Sequence, residues 1–183
     1  MGIMFGARKV VNAISLSRVG LGLLFVVCFQ KQVILFRLSV GLFLAMVATD
    51  ILDGYIARRL NVASVYGRLW DSLGDKAFYI ATIVAFNGQG FLGPLVSWAL
   101  IVREVALYIT RILFIEKLPK IEEIRPWTNL HGYFMYLMIV LGLCQMHLEI
   151  NSFSFTVSPY MQVSAYAALG FGLASIVRFL KIR

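Results

Sequence analysis

The sequence predicts an all-α integral membrane protein with six transmembrane helices, an N-terminal amphipathic segment at the interface, and both termini on the cytoplasmic side. Hydrophobic residues make up 60% of the 183-residue chain and charged residues only 14%, whereas soluble domains are about a quarter charged. A chain of this length has room for several spans joined by short loops, and none for a separate soluble domain. We therefore expect a single membrane domain over residues 1–183.

Six apolar windows in the sequence approach the roughly 17 to 25 residues with which a helix crosses a bilayer. In chain order, they cover residues 16–30, 33–57, 69–86, 92–115, 130–146 and 160–180. The first window is short, and the segment before it, residues 3–14, is expected to lie along the interface as an amphipathic helix. We expect no cleavable targeting segment, because the stretch after Lys9 is too polar for a signal-peptide core.

Lysine and arginine are distributed unevenly over these predicted spans. If the N-terminus is cytoplasmic, the outer side carries only Lys31 and Arg37, and the inner ends carry a much larger set. That inner set is Arg8, Lys9, Arg18, Arg58, Arg59, Arg68, Arg111, Lys117, Lys120, Arg125, Arg178, Lys181 and Arg183. The asymmetry follows the positive-inside rule and predicts a multi-pass protein of the cell (inner) membrane. The net charge of +8 indicates attraction to anionic membrane lipids, and no motif indicates nucleic acid as a partner.

Four aspartates lie close together within this apolar sequence, at Asp50, Asp53, Asp71 and Asp75. The first pair is three residues apart near the cytoplasmic end of the second span, and the second pair is four apart at the start of the third. On helices, residues at these spacings share one face. Because the connection between the two spans is short, the helices are expected to be antiparallel neighbours. The four carboxylates are therefore predicted to converge just inside the cytoplasmic face.

Carboxylates gathered inside a membrane repel one another and lose their hydration, and a hard divalent cation offsets both penalties. The four aspartates therefore predict a site for Mg²⁺ or Mn²⁺, as one ion or two. Because Mg²⁺ usually keeps coordination positions open for substrate phosphates, a diphosphate substrate is expected. The alternative is that the aspartates form ion pairs with Arg58, Arg59 or Arg68 for structural reasons alone.

The residues between the aspartates complete a longer pattern. Gly54 and Ala57 lack bulk where a substrate or a neighbouring helix would approach closely, and Arg58 offers a cation for a phosphate. With the aspartates, the sequence fits the signature DxxDGxxARx8GxxxDxxxD and resembles the CDP-alcohol phosphotransferase (phosphatidyltransferase) family. The matching positions are Asp50, Asp53, Gly54, Ala57, Arg58, Gly67, Asp71 and Asp75. An N-terminal stretch with Asn12, Ser15 and Arg18 is similar to that family's Asn-x-x-Thr-x-x-Arg segment.

The resemblance implies a six-helix enzyme, usually a homodimer, that transfers a phosphatidyl group from CDP-diacylglycerol to an alcohol in phospholipid biosynthesis and releases CMP. It implies that Asp50, Asp53, Asp71 and Asp75 hold the metal, and that Asp75 is also the general base. It further implies contacts to the CDP moiety, which would come from Asp50, Asp53, Gly54, Ala57, Arg58, Gly67 and Asp71. The active site would lie on the cytoplasmic side of the membrane.

The acceptor alcohol is chosen outside this signature. Arg103 and Arg111 fall on one face of the fourth span and Lys117 follows in the next loop, so these cations are candidates for binding a phosphorylated acceptor. The pair of Arg103 and Glu104 resembles one in phosphatidylglycerophosphate synthases, which makes glycerol 3-phosphate the expected acceptor. Inositol phosphate, phosphatidylglycerol, serine and inositol are alternatives. Arg103 could instead pair with Glu104 or an aspartate for structure alone.

Two other classes of membrane protein also use intramembrane carboxylates. Prenyltransferases bind diphosphates through aspartate-rich motifs, but their two motifs lie far apart in the chain. An ion transporter would line a pathway across the bilayer with carboxylates, whereas these aspartates cluster at one face. His131 and His147 have no partner at metal-ligand spacing, and both are predicted to be polar residues at helix ends or in loops.

Overall fold

The computed structural model describes the backbone of residues 17–59, 65–113 and 125–181, and the side chains of residues 17–52, 72–110, 112–113, 126–179 and 181. All regular secondary structure in these ranges is helical, which confirms the all-α class. The helices are α1 Ser17–Cys28, α2 Val33–Arg59, α3 Val65–Gly88, α4 Pro94–Leu113, α5 Arg125–Ile150 and α6 Ser158–Lys181.

Three of these helices contain stretches that are long and apolar enough to cross a membrane, namely Val33–Leu52, Pro126–Ile150 and Ser158–Phe179. Helix α1 is shorter, and α4 carries Arg103, Glu104 and Arg111 among its 20 residues. The helices therefore agree with an integral membrane protein, while six spans and their orientation stay predictions. The predicted interfacial segment, residues 3–14, lies outside the described part of the chain.

Two sharp turns reverse the chain between successive helices. Gly90, after α3, and Ser152, after α5, both have a positive φ. In each turn the next residue donates its backbone N–H to a carbonyl five residues earlier, Phe91 to Phe86 and Phe153 to Leu148, as is typical of a left-handed helix C-cap. These turns return α4 along α3, and α6 along α5.

Aromatic side chains attach α1 to α3. Phe25 and Phe29 are buried and stacked with their ring centroids 5.4 Å apart, and Phe25 meets the ring of Phe78 edge-on. A Cβ atom at Gly22 would lie 3.2 Å from the Cβ atom of Ala81, so the two helices approach closely there. Because Arg18 lies two helical turns before Phe25, this packing directs Arg18 towards α3.

The surface of the helix bundle is apolar over much of its length. Leu38 and Leu44 on α2, Leu95 on α4, and Val163 and Tyr166 on α6 are all more than half exposed. Large exposed apolar surfaces of this kind mark contact with a membrane or with another protein. Within the bundle, buried methionines and aromatic residues fill the space between α3, α5 and α6.

Candidate active site

Arg18 joins the first three helices at the predicted aspartate cluster. Its side chain on α1 is only 2% exposed, and its Nη1 donates a hydrogen bond to Oδ1 of Asp75 on α3. The same nitrogen lies 3.3 Å from Oδ1 of Asp50 on α2. The structure therefore brings one aspartate from each half of the signature to a common cation.

The carboxylates of Asp50 and Asp75 are partly exposed. Their side chains are 41% and 38% exposed, in contrast to the buried arginine between them. One nitrogen of Arg18 therefore contacts an oxygen of each carboxylate. Carboxylate oxygens are ligands of the kind that Mg²⁺ and Mn²⁺ prefer.

The remaining signature residues fall where the structure gives only the backbone. Asp53 follows Asp50 on α2 at a spacing that shares its face, and Asp71 precedes Asp75 on α3 in the same way. The side chains of Asp53, Gly54, Ala57, Arg58, Gly67 and Asp71 lie outside the described residues. Among the side chains that are described, no three histidine, cysteine or acidic residues form a metal-binding group. The full set of metal ligands stays a prediction.

A pocket of about 340 Å³ opens beside Asp75, between α3 and α5. Asp75, Lys76 and Tyr79 line it from α3, and Thr128 and Tyr133 are among the residues that line it from α5. A carboxylate that can act as a base therefore shares this cavity with a lysine and with several hydroxyl groups. The arrangement suits a small polar ligand.

Behind this pocket, Glu104 organises a buried ionic network. Glu104 is 0% exposed; its Oε2 lies 2.6 Å from Nζ of Lys76, and its Oε1 lies 2.5 Å from Nη1 of Arg103 and 2.6 Å from Nε2 of His131. Nη2 of Arg103 donates to the hydroxyl of Ser175 at 3.2 Å. We call Lys76, Arg103, Glu104 and His131 the buried network. It ties α3, α4, α5 and α6 together.

The hydrogen bonds of His131 define which ring nitrogen carries a proton. Nδ1 lies 2.8 Å from the carbonyl oxygen of Ala168, which can only accept, so Nδ1 donates. Nε2 then faces both Glu104 and Nη1 of Arg103, the latter at 2.7 Å. His131 is therefore a buried connector between helices, and the prediction of a polar residue at a helix end or in a loop was wrong. Its polar partners come from two other helices, α4 and α6.

Of the three predicted acceptor residues, only Arg103 has a side chain that the structure describes. Arg103 is 2% exposed, pairs with Glu104, and is not among the residues that line the pocket. These contacts therefore favour pairing of Arg103 with Glu104 over binding of the acceptor by Arg103. The side chain of Arg111 and all of Lys117 lie outside the described residues. A cation that the sequence had not singled out, Lys76, lines the pocket instead; its signal was a lysine directly after Asp75 inside an apolar helix.

Gly172 on α6 provides the space that Arg103 occupies. A Cβ atom at this position would come within 3.0 Å of Cζ and 3.1 Å of Cδ of Arg103, and closer still to Nε. The guanidinium therefore packs directly on the backbone of α6, where any larger residue would displace it. Among the described residues, Nε of Arg103 has no hydrogen-bond partner.

Comparison with known proteins identifies similar sequences over most of the chain. Residues 8–174 match the family described as CDP-alcohol phosphatidyltransferase. A CDP-diacylglycerol--glycerol-3-phosphate 3-phosphatidyltransferase of Aquifex aeolicus is 32% identical over 137 residues, covering 74% of this chain and 73% of that protein. A protein of the same name from Mycoplasma genitalium is 29% identical, over 60% of this chain and 54% of that protein.

A cardiolipin synthase (CMP-forming) of Oryza sativa is 44% identical, but only over 46 residues, which are 25% of this chain and 14% of that protein. No solved structure shows a significant match.

Proposed function

The chain belongs to the CDP-alcohol phosphatidyltransferase family, and on that premise we propose that it transfers a phosphatidyl group from CDP-diacylglycerol to glycerol 3-phosphate and releases CMP. The donor and the acceptor are those in the printed names of its relatives from Aquifex and Mycoplasma. The observation that carries the proposal is the meeting of Asp50 and Asp75 around Arg18. This contact joins the two halves of the family's signature in space.

We propose that Asp50, Asp53, Asp71 and Asp75 hold one or two Mg²⁺ or Mn²⁺ ions. When bound, the cation would neutralise the diphosphate of the donor and stabilise the CMP leaving group. The support for this assignment is the exposed oxygen donors of Asp50 and Asp75, which already lie within reach of one positive charge. Gly54, Ala57, Arg58 and Gly67 are assigned to contacts with the CDP moiety from the family resemblance.

The proposed reaction is a direct displacement at phosphorus. The hydroxyl oxygen of the acceptor bonds to the β-phosphorus of CDP-diacylglycerol, the bond from that phosphorus to CMP breaks, and Asp75 takes the hydroxyl proton. The pocket beside Asp75 supports this role of the carboxylate, because an acceptor bound there would have its hydroxyl next to Asp75. Arg18 keeps that carboxylate in one orientation through its hydrogen bond.

We further propose a homodimer in the cell membrane with six spans, both termini in the cytoplasm and the active site on the cytoplasmic side. The exposed apolar side chains of α2, α4 and α6 and the three candidate spans support a multi-pass position. A site at the membrane boundary would let the CDP headgroup stay in water while the acyl chains of the donor remain in the bilayer. Membership of the family gives no support to the prenyltransferase or ion-transporter alternatives.

The proposal is tested by measuring CMP release from CDP-diacylglycerol by the purified protein in detergent or in lipid vesicles, with Mg²⁺ or Mn²⁺. The acceptor panel is glycerol 3-phosphate, inositol phosphate, phosphatidylglycerol, serine and inositol. We expect release only with glycerol 3-phosphate. Release with a different member would move the assignment to that acceptor, and no release with any member would refute the family reaction for this chain.

A further inference from the structure

We propose that Lys76 is the residue that binds the phosphate of the acceptor, and that the buried network exists to hold it at the wall of the pocket. This inference rests on the proposed function, since it names the group in the active site that selects a phosphorylated acceptor. Lys76 lines the pocket together with Asp75. Its ammonium is fixed at 2.6 Å from Glu104.

The charge of the buried network favours an anionic ligand. Lys76 and Arg103 bring two positive charges and Glu104 brings one negative charge, so the network carries at least +1 whether or not His131 is protonated. Excess charge removed from water is costly unless a counter-charge lies nearby. Of the two cations, Lys76 is the one that lines the pocket. A phosphate bound in the pocket would meet the positive charge of Lys76 at that point.

The dimensions of the pocket fit a small phosphorylated alcohol. Its volume of about 340 Å³ lies at the lower end of the range of about 300–1,000 Å³ for small-molecule sites. A molecule as small as glycerol 3-phosphate suits a pocket of this size. With its phosphate at Lys76, such a molecule would extend its hydroxyl end along the pocket, whose lining includes Asp75, Tyr79 and Thr128. Lys76 and Asp75 are adjacent in sequence, so the phosphate and the reacting hydroxyl are held by one turn of α3.

The remaining members of the network act as positioning residues. A lysine side chain has many rotamers, and ordering it costs free energy that a fixed partner offsets. Glu104 fixes the ammonium of Lys76, and Arg103 and His131 in turn fix Glu104 through its other oxygen. The ring of Tyr79 lies 5.5 Å from the same ammonium and limits its movement on another side. The network thus holds the ammonium of Lys76 in a single position at the pocket.

The test separates binding of the acceptor from maintenance of the fold. Glu104→Gln would leave Arg103 buried without a carboxylate partner, so Glu104 is kept in the test. Lys76→Met removes one positive charge and leaves Glu104 paired with Arg103 through its other oxygen. We expect it to fold, to keep a KM for CDP-diacylglycerol close to that of the unaltered protein, and to raise the KM for glycerol 3-phosphate about 10- to 100-fold.

The ion pair of Lys31 and Glu149, whose charged atoms are 2.9 Å apart, provides a matched control. Lys31→Met makes the same chemical change away from the pocket, and both KM values should stay unchanged. Lys76→Arg, which keeps the positive charge, should recover part of the affinity for glycerol 3-phosphate.

Three results would overturn the inference while leaving the proposed function intact. In Lys76→Met, an unchanged KM for glycerol 3-phosphate would assign the lysine to structure alone. A raised KM for CDP-diacylglycerol instead would assign Lys76 to the donor diphosphate. Failure of Lys76→Met to fold, with the control variant folded, would assign the network to stability. If the unaltered protein does not use glycerol 3-phosphate at all, the proposed function itself fails.

Discussion

Arg18 on α1 donates a hydrogen bond to Asp75 on α3, and the same guanidinium nitrogen lies 3.3 Å from Asp50 on α2. Helices α1, α2 and α3 therefore meet at Arg18, which contacts the first and the last aspartate of the signature. The contact also explains why a nearly fully buried arginine is tolerated inside an apolar bundle, since its charge is shared between two carboxylates.

Replacing Asp75 with asparagine should abolish turnover and leave much of the affinity for CDP-diacylglycerol. An amide cannot take the proton from the acceptor hydroxyl, and we expect kcat to fall at least about 100-fold. The measurements are CMP release and the binding of a CDP-containing ligand to the same preparation. Near-normal turnover of Asp75→Asn would remove Asp75 from the role of general base.

Replacing Arg18 with glutamine should lower kcat by about 10- to 100-fold, because Asp75 loses the partner that orients it. Arg18→Lys keeps the charge but not the planar guanidinium, so its loss should be smaller. Both variants are compared by steady-state kinetics, with thermal unfolding as the check that each is folded. If folded Arg18→Gln retains the kcat of the unaltered protein, Arg18 does not position the carboxylate.

Replacing Gly172 with alanine should destabilise the protein by about 1–3 kcal/mol, because the added methyl group overlaps the guanidinium of Arg103. Gly170→Ala is the matched control, since a Cβ atom at Gly170 would meet nothing within 4 Å on the same helix. The control should be neutral or slightly stabilising. The free energy of unfolding is measured by denaturant titration in detergent, and equal values for the two variants would contradict the tight packing at Gly172.

Removing divalent cations with EDTA should reduce CMP release to background, and adding back Mg²⁺ or Mn²⁺ should restore it. The reason is that the carboxylates alone cannot neutralise a diphosphate. Binding of Mn²⁺ can be followed separately by its paramagnetic signal, and Asp50→Asn should weaken that binding. Full activity in excess EDTA, after dialysis, would show that the aspartates serve another purpose.

Sequence reasoning succeeded where periodicity along a single helix carried the information. The spacings of Asp50 to Asp53 and of Asp71 to Asp75, together with a short connection, predict that four carboxylates converge. The structure brings Asp50 and Asp75 to one guanidinium, and the convergence of all four stays a prediction. The helical class followed from the length and the composition of the apolar windows. Both inferences depend only on neighbours in the chain.

The buried network could not be predicted in the same way, because it depends on which faces of four helices point at each other. Lys76, Glu104 and His131 are far apart in sequence, and helix periodicity does not define the rotation of one helix against another. The charge of Arg103 makes it a candidate for binding the acceptor or for pairing with Glu104, and the structure packs it against the backbone of Gly172 and the carboxylate of Glu104. Each of these charged residues lies in an apolar helix. That position was the one sign in the sequence that they have partners on other helices.

The central claim is tested most directly by incubating the purified protein with CDP-diacylglycerol, Mg²⁺ and glycerol 3-phosphate labelled in its carbon skeleton. The account predicts that label enters the lipid fraction in a one-to-one ratio with the CMP released, and that Asp75→Asn gives neither product. CMP release without label in the lipid, or equal transfer by Asp75→Asn, would contradict it.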